Sequence, residues 1–368
     1  MIRPGTSRSA DVDVLLSGLL FHDLVFTGLD QPPKPGAEAW STGMGAGPGG
    51  IANFAVTLAR LGLRTSLTAA FGDDRSGRDC WEALETEGVD LSLSRRFGGW
   101  TTPITVALAY DGDRALVSHG TAPPELRVTP PGARAAVLHI AQEPIPWLER
   151  SDLGLVFADL GWDSSGEWST DALGQLAHCH AFMPNAHEAM SYTRTDTPEA
   201  AVAKLAELVP LAVVTRGAGG AVAIDGSTGE TAAADGVPVA AVDPTGAGDV
   251  FGASLVAGTL AGWPLAHRLR FANLSAALSV RRPGGSLSAP GWAGIAEWWR
   301  AVPADPELRR VYAFLDDVIP EVIPDVIAAA PDAAPDAAPA PVPGAPDIQA
   351  PATLSPEGSS RWNSHADD

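Results

Sequence analysis

Asp243-Pro244-Thr245-Gly246-Ala247-Gly248-Asp249-Val250-Phe251 opens an apolar helical pattern on three small residues and sets two carboxylates six positions apart. Glycine and alanine at 246–248 let the backbone approach an anion closely. The N–H groups at a helix start point outward, with the positive end of the helix dipole behind them. The stretch therefore reads as a phosphate site with a carboxylate, Asp249, in the first helical turn. Many helices open on small residues for packing alone, so the surrounding sequence has to decide.

Outward from that turn the spacing of apolar residues is regular. Residues 250–260 and 265–280 are helical in pattern, and Pro283-Gly284-Gly285 follows the second helix. Upstream, apolar runs at 211–215, 181–183, 154–158 and 136–140 read as strands, with a helical pattern at 198–208. Near the start, Val12-Asp13-Val14-Leu15-Leu16-Ser17-Gly18 is a buried strand, followed by a helix at 52–61, a strand at 65–70 and a helix at 79–87. Alternation of strand and helix favours a parallel sheet, and short right-handed connections fold it into a three-layer α/β/α domain. One region breaks the rhythm. Residues 101–110 alternate, Asp111-Gly112-Asp113 makes a hairpin turn and 114–118 return. Residues 24–45 and 95–120 are thus expected to form a small β-sheet, read either as a lid over the site or as an ordinary surface hairpin.

At 368 residues the chain accommodates one large domain, expected over 12–318, with a flexible N-terminus at 1–11. From 319 to 368, Pro, Ala and Asp recur without amphipathic period, as in Ala328-Ala329-Ala330-Pro331-Asp332, which predicts a disordered tail. The net charge of −20 and the scattered cations argue against nucleic acid as a partner. Cys80 and Cys179 are too few for a disulfide framework. No apolar run approaches the ~20 residues of a membrane span, and residues 1–13 carry no signal-peptide core, so a soluble cytoplasmic protein is expected. His22, His119, His139 and His187 have no triad-like or metal-ligand spacing.

Three further segments precede the 243–249 turn in a consistent order: Gly49-Gly50-Ile51-Ala52-Asn53 before a helix, Asn185-Ala186-His187-Glu188 opening a helix, and Thr215-Arg216-Gly217-Ala218-Gly219-Gly220 after a strand. Together these motifs resemble the ribokinase-like, or PfkB-type, carbohydrate kinase family from about residue 12 to about 300. The resemblance implies a ribokinase-like fold with a β-sheet lid, and transfer of the ATP γ-phosphate to a hydroxyl of a sugar, nucleoside or related small alcohol. Asp249 would be the general base, and the backbone of Gly246, Ala247 and Gly248 the anion hole. Asp23, Gly49, Gly50, Asn53 and Glu143 would bind the acceptor, although Glu143 before a proline is also ordinary loop composition. Asn185 and Glu188 would order the water shell of Mg²⁺, while the same spacing serves a helix capping box.

Thr215, Gly217 and Gly220 would border the ATP phosphates and ribose, and Asn273 and Gly285 would close over adenine, with Asn273 equally readable as a polar position on a helix face. Asp243, Thr245 and Ser288 would supply oxygens to K⁺, which some members use. The family also implies a homodimer through the lid. Ile51, Ser254 and Asp159-Leu160-Gly161-Trp162 depart from the family pattern, the first and third beside the acceptor pocket. A sugar acceptor is favoured over a nucleoside. A sugar phosphate would need cations in the pocket, where Arg95 and Arg96 are the candidates. A non-catalytic regulatory protein of the same fold is the rival from another class.

Overall fold

The computed structural model describes residues 12–322 apart from 111–112, 127, 141–144, 146–147, 149, 151, 161–162, 164 and 303–304. The chain opens with β1 (Val12–Ser17), β2 (Leu20–Thr27) and β3 (Gly43–Gly50), then α1 (Ile51–Arg60), β4 (Thr65–Thr68), β5 (Ala70–Gly72), α2 (Arg75–Thr86) and β6 (Arg95–Phe97). It continues through β7 (Ile104–Tyr110), β8 (Asp113–His119), β9 (Ala133–His139), β10 (Leu155–Asp159), β11 (Ala181–Phe182), α3 (Ala186–Thr193) and α4 (Pro198–Leu205). Last come β12 (Leu211–Thr215), β13 (Ala221–Asp225), β14 (Glu230–Ala234), α5 (Ala247–Leu260), α6 (Leu265–Ser279), α7 (Trp292–Ala301), α8 (Pro306–Val311) and α9 (Leu315–Val322).

Eight strands form the central sheet in the order β14-β13-β12-β11-β10-β9-β1-β4. The pairs from β4 to β12 are parallel, and β13 and β14 add an antiparallel edge. Strands of such a sheet are buried on both faces and read as unbroken apolar runs. In β1, Val14 and Leu16 enter one hydrophobic cluster with residues of α1, α5 and α6, while Leu15 enters another with residues of α3 and α4. That alternation is the three-layer architecture seen at one strand.

The second sheet has the order β3-β2-β7-β8 and is the small lid sheet. Pairing sets Gly47, Asp23, Thr105 and Ser118 in one row across it. Its bounds differ from those expected. Residues 95–97 pair with β5 in a separate two-stranded sheet, whereas the lid strands begin at Leu20 and extend to Gly50. The strand Gly43–Gly50 is glycine-rich, a composition that weakens strands, and was not expected as one over its whole length. Its backbone is needed bare: a Cβ on Gly45 would lie 2.8 Å from the Gly284 nitrogen. α2 starts four residues earlier than the apolar period implies, because Asp74 caps it by accepting the Gly77 N–H at 2.7 Å. The antiparallel edge of β13 and β14 was also unforeseen. At the far end, α9 runs to Val322 with Ile319 buried, so the folded domain passes the boundary expected at 318.

α1 and α5 pack closely because Gly252 gives way to the Phe54 ring; a Cβ at Gly252 would sit 2.6 Å from it. Phe54 is fully buried in the main cluster. Phe54→Ala should therefore cost about 3–5 kcal/mol of unfolding free energy, read from urea midpoints. A loss below about 1 kcal/mol would mean that this contact does not hold the two helices.

Candidate active site

The parallel strands end along one edge of the sheet, where ligands of open α/β folds bind, and the turn 243–249 lies there. Asp243 is buried, and its carboxylate accepts N–H bonds from Thr245 at 2.9 Å, Gly284 at 3.1 Å and Gly285 at 3.4 Å. One side chain thus ties the turn to the loop after α6. Gly246 caps α5 with φ 75°, a left-handed conformation that favours glycine. Of the N–H groups expected to face an anion, that of Ala247 donates to the Pro244 carbonyl at 3.3 Å.

The Asp249 carboxylate accepts a bond from Asn53 Nδ2 at 2.6 Å. Burial pushes its pKa up to about 7, with Glu188 adding to the rise and the Asn53 bond and the Arg114 charge opposing it. Asp23 is also buried and pushed up to about 7, by desolvation and then by the charges of Asp249 and Asp243, with Arg114 opposing. A Cβ on Gly49 would fall on the Asp23 carboxyl, so glycine there is what gives that carboxyl its place. Gly50 caps α1 with φ 60°. Two chain segments far apart in sequence thus bring Asp23, Gly49, Asn53, Gly246 and Asp249 together. Glu143 lies outside the described residues.

On the other side of the turn, Asn185 and Glu188 make both halves of a capping box, each accepting the other's backbone N–H at 3.0 Å. Burial raises the Glu188 carboxyl above the usual range. Asn185 forms a parallel bridge with Thr215, which joins the second and third motifs. Gly217 and Gly220 follow with φ of 56° and 81°, and Arg216, just before them, pairs with Glu199 at 3.3 Å.

Asn273 and Gly285, expected near adenine, each have contacts within the chain. The Asn273 amide donates to the carbonyls of Ala234 at 3.0 Å and Asp235 at 3.1 Å, so it holds the end of β14. The Cβ position of Gly285 lies 3.7 Å from Asn53 Oδ1 and 3.8 Å from Asp23 Oδ2. Ser288 donates to the Gly285 carbonyl at 2.6 Å, and the buried Thr245 hydroxyl has no partner among the described residues.

Asp159, noted in sequence only as part of a departure from the family pattern, and Arg114, not singled out there, both act on this edge. Asp159, at the end of β10, is raised well above the usual range by burial and by the charges of Asp249 and Glu188. His139 Nε2 is 3.7 Å away, and burial lowers that imidazole to about 4, so the ring is neutral at pH 7. Arg114 pairs with Ala109 at the start of β8 and shares the lid face of Asp23; its charge acts on both Asp23 and Asp249. Arg95 and Arg96, the cations singled out from sequence, lie over the rings of Phe97 at 5.2 Å and Trp81 at 4.4 Å. Only topology distinguishes these arginines, because strand pairing decides which of them faces the cleft.

An α/β fold with a β-sheet lid and paired carboxylates at a glycine turn defines a small-molecule kinase scaffold. The sequence matches the pfkB family carbohydrate kinase over residues 31–142 and 155–292, and the chain belongs to that family; it is a kinase. A nucleoside kinase from Methanothermobacter thermautotrophicus is 29% identical over 296 residues, which cover 77% of this chain and 94% of the relative. A ribokinase from Bacillus subtilis is 27% identical over 293 residues, 73% of this chain and 92% of the relative. The structure of Arabidopsis thaliana ribokinase superposes with a TM-score of 0.63 at 22% identity, over 78% of this chain and 98% of that one. Among the described residues, no helix is long and apolar enough to cross a membrane.

Proposed function

We propose that the protein transfers the γ-phosphate of ATP to a hydroxyl of a small sugar or sugar-like acceptor, with Asp249 as general base. The observation that carries this is the meeting of Asp249, Asn53 and Asp23 beside the Gly246–Gly248 turn. Asp249 takes the hydroxyl proton as the oxygen attacks, and the backbone of the turn receives the charge on the phosphoryl oxygens. Asp23 is a two-oxygen acceptor suited to neighbouring hydroxyls. The related Arabidopsis structure holds ribose and ATP, which supports both ligands.

Glu188 and Asp159 fit a divalent cation held through its water shell, since burial and then the charges of Asp249 and Glu188 raise the Asp159 carboxyl, a crowding of carboxylates that a cation would relieve. Mg²⁺ on the triphosphate supplies charge neutralisation to the β- and γ-oxygens. The unpartnered Thr245 hydroxyl beside Asp243 supports a monovalent cation site there. A nucleoside acceptor is the second reading, favoured by the likeness to the nucleoside kinase over most of both chains.

The test is ADP release from Mg-ATP with a panel of pentoses, ketoses, sugar acids and nucleosides, with and without K⁺. Stimulation by a sugar supports the first reading and stimulation by nucleosides alone supports the second. ATP binding with no stimulation by any acceptor moves the site to a regulatory role.

A further inference from the structure

Asn53 sits in the first turn of α1, buried, and its two amide atoms face different neighbours. Nδ2 donates to Asp249 Oδ2 at 2.6 Å, across 196 residues of chain. Oδ1 is buried with no hydrogen-bond partner among the described residues, 3.1 Å from the Cβ position of Gly246 and 3.7 Å from that of Gly285. The orientation is decided chemically: turned over, the amide would set an oxygen against an ionised carboxylate. The backbone anchors the residue further, because the Asn53 carbonyl accepts the Thr57 hydroxyl at 2.7 Å. Asp249 is thus held by a side chain from the helix that also carries the acceptor-side glycines at its start.

We propose that Asn53 is the positioning residue of the general base, its amide N–H fixing the Asp249 carboxylate in ionised form with the second oxygen turned to the reacting hydroxyl. The inference rests on the reading of Asp249 as base. The field at that carboxylate comes from Asp23 on β2, Asp159 on β10, Glu188 on α3 and Arg114 on β8. Three of these four are carboxyls, which disfavour its ionisation whenever they are themselves charged. Among the described residues, the Asn53 bond is the direct side-chain hydrogen bond that favours it.

The experiment is a pH titration of aspartate carboxyl ¹³C resonances in the full-length protein, with Asp249→Asn identifying the Asp249 signal. In wild type its midpoint should lie near 7; in Asn53→Ser and Asn53→Ala it should rise by about one pH unit. Asn53→Asp, which keeps the shape, should raise it further by placing a like charge against it. An unchanged midpoint in folded Asn53→Ser or Asn53→Asp overturns the proposal. Where an acceptor supports turnover, the acid limb of kcat should move up with the midpoint while the KM for ATP stays constant. A fall in kcat with the limb unmoved marks a merely structural role and also overturns it. Full activity in Asp249→Asn instead removes the assignment of the base itself, and is thereby distinguished from a failure at Asn53.

Discussion

Asp249→Asn should lower kcat by about 10²–10⁴-fold, the usual contribution of a positioned general base, while ATP binding measured by calorimetry is unchanged. Asparagine matches the shape of aspartate, and its side-chain oxygen can still accept the Asn53 bond at the 2.6 Å site. What it loses is the capacity to take a proton. The same substitution has a pH-dependent effect on stability. The Asp249 carboxyl is raised to about 7 by burial, above the ~3.9 of an unfolded aspartate. Its contribution to folding is therefore fully present below about pH 4 and is lost as pH rises through about 7. Asp249→Asn should accordingly be more stable than wild type at pH 8, with the difference shrinking towards pH 4, as read from urea midpoints. Activity should show the opposite sign, rising with pH through about 7 as the base ionises. Retention of more than a tenth of wild-type kcat in the variant would rule out the base assignment.

Gly49→Ala should damage the acceptor site as severely without replacing a charged group. The added methyl falls on the Asp23 carboxyl. Asp23 cannot retreat easily, since its backbone is fixed by pairing with Gly47 and Thr105 on either side. Displacing a substrate-positioning carboxylate by about 1 Å costs on the order of 10²-fold in kcat/KM. The loss should appear against the acceptor, with KM for ATP little changed. Gly98→Ala, where no atom lies within 4 Å of the new methyl, is the control. Equal effects of the two substitutions on acceptor kcat/KM would remove Asp23 from the acceptor site.

Much of the architecture could be read because a parallel sheet leaves a strong record in sequence. β1 carries the apolar run Val14-Leu15-Leu16, buried on both faces, and α1 shows helical spacing of its apolar residues. The 243–249 turn was legible as a helix start for a local reason, since a helix that opens from a left-handed cap favours glycine there. The capping box of Asn185 and Glu188 was likewise written within four residues.

What escaped was non-local or against propensity. Glycines at alternate positions do not look like a strand, yet β3 needs them because the 283–287 loop lies against its backbone. That the Asn273 amide donates to the Ala234 and Asp235 carbonyls at the end of β14 could not be read from a polar position on a helix face. Arg114 carries no motif of its own, and Asp159 showed in sequence only as a departure from a pattern; the charge each exerts or feels comes from carboxylates brought near by the fold.

The sequence by itself determined the layered α/β fold, the family and the identity of the carboxylate at the helix start, because apolar periodicity and turn chemistry act over a few residues. Only the tertiary structure decided which amide holds that carboxylate, which glycines face the acceptor and which arginine overlooks the cleft. Those relations join residues up to 196 positions apart, and they are set by strand register and packing, which no local pattern encodes.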